Sequence, residues 1–525
     1  MSAEISSVLI AGQWRPAQAT STFSATNPAT GEPLEGTYPT SSWEDCDAAL
    51  TAAAAATRDL RSVPPDAIAG FLEGYATCIE QRSDELVAMA NAETGLPASP
   101  RLREVELPRT TTQLRQGAAA AREGSWANAT LDTKANIRSH LAPIGPVVIF
   151  GPNNFPFAFN GVSGGDFTAA IAAGNPVIAK AHPLHPGTSR LLAECAFAAL
   201  TNSGLPLTTV QMLYNIRNED GLRLVADPRV GASSFTGSRA AGLRLKAAAD
   251  AAGKPMYLEL SSLNPIVLLP GALAERGEAI ATELADSALA AAGQFCTSPN
   301  LIFAIEGDEA ELLSRRLAEL LDSRPSSPLL SKGGLDVLEQ GVQSLVDAGA
   351  TVVTGGERAG GEGYRFRNTL LRTDARTFFV HPQELQREAF GNSTMLVTAR
   401  DLSEMQSLID ALEGNLTGSI YTSLTGGDDT IYSEIAAELR PRVGRLLNNK
   451  MPTGVALSPA MNHGGPYPAT AHPGFTSVGI PASMLRFAAL HSYDNVREDR
   501  LPPALRDQAP NPAMWRRIDG VWKQG

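Results

Sequence analysis

Cysteine is scarce in this chain: Cys46, Cys78, Cys195 and Cys296 are all it has in 525 residues. They lie far apart and form no CxxC pair. That excludes a disulfide framework and a zinc-ribbon motif, and it suits reduced thiols in a cytoplasmic protein. Basic charge is also short. Lys and Arg number 43 against 55 Asp and Glu, a net charge of −12, and there is no long Lys/Arg run. Such a chain has no general field for a phosphate backbone, so no nucleic-acid partner is expected. Long apolar runs are missing too. Alanine-rich stretches such as DCDAALTAAAAATRDL are short and interrupted by charge, so no membrane span is expected. The opening residues, MSAEISSVLIAGQWRP, lack the basic region and long apolar core of a secretory signal. No P-loop ending in Lys-Ser/Thr occurs, which argues against a nucleoside triphosphatase. No metal site is expected either.

What is present is a globular composition, 43% hydrophobic and 19% charged, long enough for two or three lobes with their own cores. Residues 20–40 read as strands and turns. SSWEDCDAALTAAAAATRDLRS follows as a capped helix, and further helices run to about residue 123, one stretch ending at the glycine of NAETG. From about residue 141 the pattern changes. LAPIGPVVIFGP, NPVIAKAHP, VQMLY, ASSFTGS and MYLELSSLNPIVLLP are apolar strand segments without period-two alternation, separated by helical stretches. Such strands belong to a parallel sheet covered on both faces, a Rossmann-like arrangement. A second α/β stretch starts near residue 275, where EAIATELADSALAAAG is a helix leading to a Cys-bearing turn. TVVTGGERAGGEGY reads as a surface loop, because no helix follows to complete a phosphate site. The last 45 residues, rich in proline and charge, read as an extended arm.

Several residues stand out chemically. Cys296 in GQFCTSPN reads either as a structural thiol or, with partners, as a nucleophile stabilised by surrounding amides and hydroxyls. Glu259 sits between apolar strand residues in LELSSLNP. It is either a salt-bridged carboxylate or a general base whose burial is expected to raise its pKa. Asn154, in FGPNNFP, is a turn residue or an oxyanion donor. FTGSRAAG opens a helix with glycines placed for close approach to a pyrophosphate. Gly161-Val162-Ser163-Gly164-Gly165 fits the G-x-S-x-G hydrolase pattern. It does not sit on a strand-to-helix elbow, however, and no convincing triad histidine accompanies it.

Taken in order and spacing, these elements resemble the aldehyde dehydrogenase superfamily over nearly the whole chain. FGPNNFP through GGPYPAT is most similar to its α-ketoglutaric semialdehyde (2,5-dioxovalerate) dehydrogenase and NADP-dependent subgroup. The resemblance implies an α/β aldehyde dehydrogenase fold with three parts. These are a Rossmann-like NAD(P)-binding domain (1–125 and 146–272), an α/β catalytic domain (273–455) and a bridging oligomerisation arm (126–145 and 480–525). It implies Cys296 as nucleophile, Glu259 as general base and Asn154 in the oxyanion hole. For the cofactor it implies Lys180 at the adenosine ribose, Gly237 and Ser238 at the phosphates, and Glu388 and Phe390 at the nicotinamide ribose and ring. Three positions depart from the usual pattern: Ser261-Ser262 replace Gly-Gly, Asn153 stands where many relatives have Trp, and Asn392 replaces a proline.

The expected reaction is oxidation of an aldehyde to a carboxylate through a cysteine thiohemiacetal and a thioester. Lys180, His182 and Arg217 are candidates to supply positive charge for a 2′-phosphate, which favours NADP⁺ or use of both NADP⁺ and NAD⁺; the other reading of His182, as of His185, is a polar loop residue beside prolines. The expected substrate is α-ketoglutaric semialdehyde, whose remote carboxylate calls for an arginine in the substrate tunnel. The alternative is a broad-specificity enzyme for medium-chain or aromatic aldehydes. A CoA-acylating enzyme has less need of Glu259, and a scaffold without catalysis has no need of the Cys, Glu, Asn and Lys set. The resemblance further implies a homodimer or homotetramer.

Overall fold

A computed structural model of the chain describes residues 4–525. Its framework is two seven-stranded sheets. The buried, non-alternating strands read from the sequence assemble the first, in the order Met256–Glu259, Ala232–Thr236, Val147–Phe150, Val177–Lys180, Val210–Leu213, Val8–Ile10 and Gln13–Arg15. The first five are mutually parallel. The last two turn back antiparallel and close the edge. Helices Gly165–Ala172, Pro186–Ser203 and Arg239–Ala251 connect them. Covered on both faces, these strands gain nothing from alternation, and residues such as Val147, Val148, Val177 and Ile178 are fully buried.

The second sheet runs Thr351–Thr354, Thr369–Asp374, Ser393–Ala399, Leu301–Ile305, Ile266–Leu268, Asn415–Tyr421 and Val443–Asn448. All neighbours are parallel except the first pair. A three-stranded sheet packs near the N-terminus, and five strands form an arm in the order Ala488–Asp494, Ile137–Pro143, Thr130–Asp132, Trp515–Ile518 and Val521–Gln524. Among the described residues, no helix is long and apolar enough to cross a membrane.

One segment departs from its sequence reading. MYLELSSLNPIVLLP reads as a single strand region, yet it splits between the sheets. Met256–Glu259 forms an edge of the first, and Ile266–Leu268 lies inside the second. Asn264, held at φ 51° before Pro265, makes the crossing. Glu259 is therefore the last residue of its strand, at the junction of the two sheets. The strand Ile266–Leu268 also falls within the span 146–272 expected for the first domain.

After the second sheet the chain returns to the first as a strap. Leu260 N–H donates to the Ala469 carbonyl at 2.8 Å, and Ala471 N–H to that of Leu258 at 3.3 Å. The strap is pinned by Arg486, whose side chain is 1% exposed and pairs with Asp166 at 2.7 Å. Its guanidinium lies 4.8 Å from the ring centroids of both Phe475 and Phe487. Asp166 also accepts from Ser234. Replacing Arg486 by alanine strands a carboxylate in this cluster, and such losses cost about 3–5 kcal/mol. Chemical denaturation of Arg486→Ala should show that loss; a change below about 1 kcal/mol would mean the strap does not depend on the pair.

Candidate active site

The Cys296 turn is built with some strain. After the helix Pro270–Leu289 come Ala291, Ala292 and Gly293 at φ 50°, 55° and 69°. Left-handed alanines cost free energy that only a fixed surrounding can sustain. A side chain at position 293 would overlap the Gly391 carbonyl, so glycine lets this turn meet the loop that carries Glu388 and Phe390. Further bonds hold the turn. Asn154 Nδ2 donates to the Gln294 carbonyl at 2.8 Å, and Asn264 Nδ2 donates to the carbonyls of Cys296 and Ser298, both at 2.9 Å. Cys296 is left half-buried, whereas Cys46 and Cys195 are buried within helices.

Glu259 and His463, each with a side chain 1% exposed, meet at Cys296. His463 Nε2 is 3.1 Å from Glu259 Oε1 and 3.4 Å from Cys296 Sγ. Ser477 Oγ donates to the other carboxylate oxygen, Oε2, at 3.1 Å. Sequence reasoning missed His463, because it comes from the strap 167 residues beyond Cys296. Its only signal was its place just before the GGPYPAT stretch.

The electrostatics correct two expectations, a raised Glu259 carboxyl and surroundings that stabilise a Cys296 thiolate. Burial does push Glu259 upward, but the nearby His463 and hydrogen bonds from His463, Cys296 and Ser477 outweigh it, leaving the carboxyl below its ordinary range. The thiol behaves oppositely. Burial raises Cys296 well above the usual thiol value, the Glu259 charge raises it further, and Glu388 adds to this while Arg445 opposes. The resting pair is thus a protonated thiol beside an ionised carboxylate.

At the C-terminal ends of the first sheet's strands lies a cavity of about 210 Å³, lined by Phe150, Lys180, Asn215, Arg217, Phe235 and Arg244 among others. Burial lowers Lys180 to about 8. Gly237 N–H donates to the Glu259 carbonyl at 3.1 Å, and Ser238 Oγ caps the helix Arg239–Ala251, which contributes Arg244. No carboxylate lines the cavity, and its place beyond parallel strands fits a dinucleotide. His182 is not part of the lining; its Nδ1 accepts from Leu184 N–H at 3.2 Å. Arg217 is paired with Asp220 at 2.7 Å and Glu219 at 2.8 Å. Arg244, which the sequence reading passed over, is exposed and has no ion pair among the described residues. Glu388 lies against Ser261 and the Ser262 backbone, and burial pushes it up to about 7. Phe390 is half-buried. Asn392 is tied by its Nδ2 to the Phe366 carbonyl and Asn368 Oδ1, both at 2.8 Å.

Two half-buried arginines interact electrostatically with the thiol. Arg109, on the helix Leu107–Glu123, donates to the Val455 carbonyl and lies 5.8 Å from the Phe159 ring. Arg445, on the edge strand Val443–Asn448, donates to the carbonyls of Pro452 at 2.6 Å and Gly454 at 3.2 Å. Burial pushes both guanidinium groups below their ordinary range, and both interact electrostatically with Cys296. Neither has a carboxylate partner among the described residues, and buried guanidinium nitrogens remain unpaired on each.

A cysteine–carboxylate centre, together with a cavity beyond parallel strands that fits a dinucleotide, suits a cofactor-dependent oxidoreductase. Residues 14–466 match the aldehyde dehydrogenase family, and the chain belongs to it. It is 36% identical to α-ketoglutaric semialdehyde dehydrogenase 2 of Azospirillum brasilense, over 97% of this chain and 98% of that protein. It is 32% identical to α-ketoglutaric semialdehyde dehydrogenase of Acinetobacter baylyi, over 96% of each. Among solved structures, a putative aldehyde dehydrogenase from Burkholderia cenocepacia shares the fold at TM-score 0.81 and 23% identity, covering 95% of this chain and 99% of that one. An NAD⁺ complex of a Bacillus cereus aldehyde dehydrogenase has TM-score 0.80 at 21% identity, covering 93% and 96%.

If Glu259 holds the thiol in its protonated form, removing the carboxylate charge lowers the thiol pKa. Glu259→Gln should therefore move the pH midpoint of Cys296 alkylation by iodoacetamide downward. An unchanged or higher midpoint would show that the carboxylate does not govern the thiol.

Proposed function

We propose that this enzyme oxidises α-ketoglutaric semialdehyde to 2-oxoglutarate with NADP⁺ or NAD⁺. The observation that carries the substrate is the pair Arg109 and Arg445. Two half-buried guanidinium groups beside a thiol, satisfied only by backbone carbonyls, make a site that a substrate carboxylate completes. The names of the Azospirillum and Acinetobacter relatives agree with it.

Each residue's role follows from its chemistry. Glu259 takes the proton as Cys296 Sγ adds to the aldehyde carbon, with His463 hydrogen-bonded to the carboxylate. Asn154 Nδ2 keeps one N–H beyond its bond to Gln294, and that N–H is available to the developing oxyanion. Lys180, Gly237 and Ser238 would hold a nicotinamide cofactor, with Glu388 and Phe390 at its ribose and ring, and that cofactor would supply the hydride acceptor. Glu259, ionised again once its proton has left, then activates water against the Cys296 thioester. Lys180 and Arg244, with no carboxylate in the cavity lining, favour a 2′-phosphate and hence NADP⁺. His182 lies outside that lining and supports the neighbouring turn. The five-stranded arm, with Ile137, Leu490 and Trp522 exposed, supports assembly as a homodimer or homotetramer.

The decisive assay follows reduced-cofactor formation with α-ketoglutaric semialdehyde, succinic semialdehyde, hexanal and benzaldehyde. Cys296→Ala should lose more than about 10³-fold in kcat. Arg109→Met and Arg445→Met should each raise KM for the keto-semialdehyde roughly tenfold to a hundredfold, the worth of a charged hydrogen bond. Turnover of hexanal should stay within about twofold. A wild-type preference for hexanal or benzaldehyde would replace this substrate with a broad aldehyde range. Arg244→Ala should raise KM for NADP⁺ about tenfold more than for NAD⁺; equal effects would remove Arg244 from phosphate recognition.

A further inference from the structure

The same three side chains that meet at the thiol also match the ligand set of a soft divalent metal. Cys296, His463 and Glu259 each offer one donor atom, and the three atoms lie within 4.8 Å of one another. Zinc binds thiolate sulfur at ~2.3 Å and histidine nitrogen or carboxylate oxygen at ~2.0–2.1 Å, tetrahedrally. Those bond lengths require N···O and S···N separations of about 3.3 and 3.6 Å. The observed separations are 3.1 Å for His463 Nε2 to Glu259 Oε1 and 3.4 Å for Cys296 Sγ to His463 Nε2. Each of these two separations is about 0.2 Å short of the tetrahedral value, within side-chain adjustment, and Cys296 Sγ lies within 4.8 Å of the Glu259 oxygen.

We infer that Cys296, His463 and Glu259 form a reversible zinc-binding site that blocks the enzyme while occupied. The ion is held on three protein donors with a fourth position open to water. As the Sγ–Zn bond forms, the Cys296 thiol proton leaves to solvent. His463 binds through its Nε2 lone pair, with its proton on Nδ1, and no electron is transferred. The charges then balance, one thiolate and one carboxylate against one divalent ion. Burial of His463 and Glu259 shields the complex from water. Ser477, bonded to Glu259 Oε2, leaves Oε1 to face the metal. With its sulfur engaged, Cys296 cannot add to a carbonyl, so occupancy by zinc and by aldehyde exclude each other. Magnesium prefers six oxygen donors and is excluded by the donor set. Zinc binding rests on the geometry of the three donors, whereas the block of turnover rests on Cys296 being the nucleophile proposed above.

Equilibrium dialysis of the full chain against zinc chloride, with metal content measured directly, tests it. Wild type should bind one zinc per chain with a dissociation constant near or below about 1 μM, and magnesium chloride should give none. Cys296→Ser should abolish that binding. His463→Ala and Glu259→Gln should each weaken it more than about tenfold, while the count of titratable thiols and the circular dichroism spectrum stay as in wild type. Zinc should stop turnover competitively with aldehyde, and EDTA should restore it. Wild type that binds no zinc, or His463→Ala with undiminished affinity, overturns the inference. Persistence of stoichiometric zinc in Cys296→Ser also overturns it, by placing the metal elsewhere. Because the readout is bound metal, failure of the proposed oxidation leaves this outcome legible, and the reverse holds too.

Discussion

The structure turns on a buried carboxylate that must stay ionised. Taking a charge out of water is expensive, and a strand end between two sheets offers little to repay it. Glu259 is repaid by three neighbours, His463, Ser477 and the Cys296 thiol. Two of these arrive on one strap, because Ser477 N–H bonds the His463 carbonyl at 3.0 Å and His463 N–H bonds Thr476 Oγ1 at 2.9 Å. The strap's register thus fixes both oxygens of the carboxylate at once. This explains why the strap is fastened so firmly elsewhere, through Ala469, Ala471 and the buried Arg486. A slip of the strap would leave an unpaired charge at the junction of the sheets.

The same ionised carboxylate has a cost for the thiol. Burial first, and then the negative charge of Glu259 beside it, push the Cys296 thiol up and favour its protonated form at rest. A permanently charged thiolate would be more nucleophilic but also more exposed to oxidation and to stray electrophiles. Here the Glu259 carboxylate is already within hydrogen-bonding reach of the thiol, so under the proposed mechanism the thiolate forms only as it attacks. The strained alanines before Gly293 have a related meaning, since they hold the sulfur toward the other two groups instead of letting the turn relax.

Much of this was legible in the sequence. Apolar strands without alternation announced a covered parallel sheet, the helix before GQFCTSP was plain, and the spacing of motifs carried the family. What escaped has a common cause. His463, Ser477, Arg109 and Arg445 reach the site from a strap, a helix and an edge strand, and no local pattern marks them. The division of MYLELSSLNPIVLLP between two sheets was hidden for another reason. Both halves are buried and apolar, and only Asn264-Pro265 signals the crossing. The direction of the Glu259 shift was misjudged because burial can be read from a hydrophobic neighbourhood, whereas its compensating partners cannot.

The charges around Cys296 form an incomplete set, and the proposed specificity rests on it. Glu259 is satisfied internally by the strap. Arg109 and Arg445 are not, and both bear a burial penalty that drives their pKa down. A protein selected for stability alone would replace them with apolar side chains or supply a carboxylate. Leaving both unpaired stores free energy that a ligand of opposite charge recovers on binding. An apolar aldehyde recovers none of it and leaves the arginines desolvated without a partner, so discrimination arises from the penalty as much as from the attraction. The family supplies the reaction class, and the unpaired arginines are what support the proposal of a substrate with a negatively charged end.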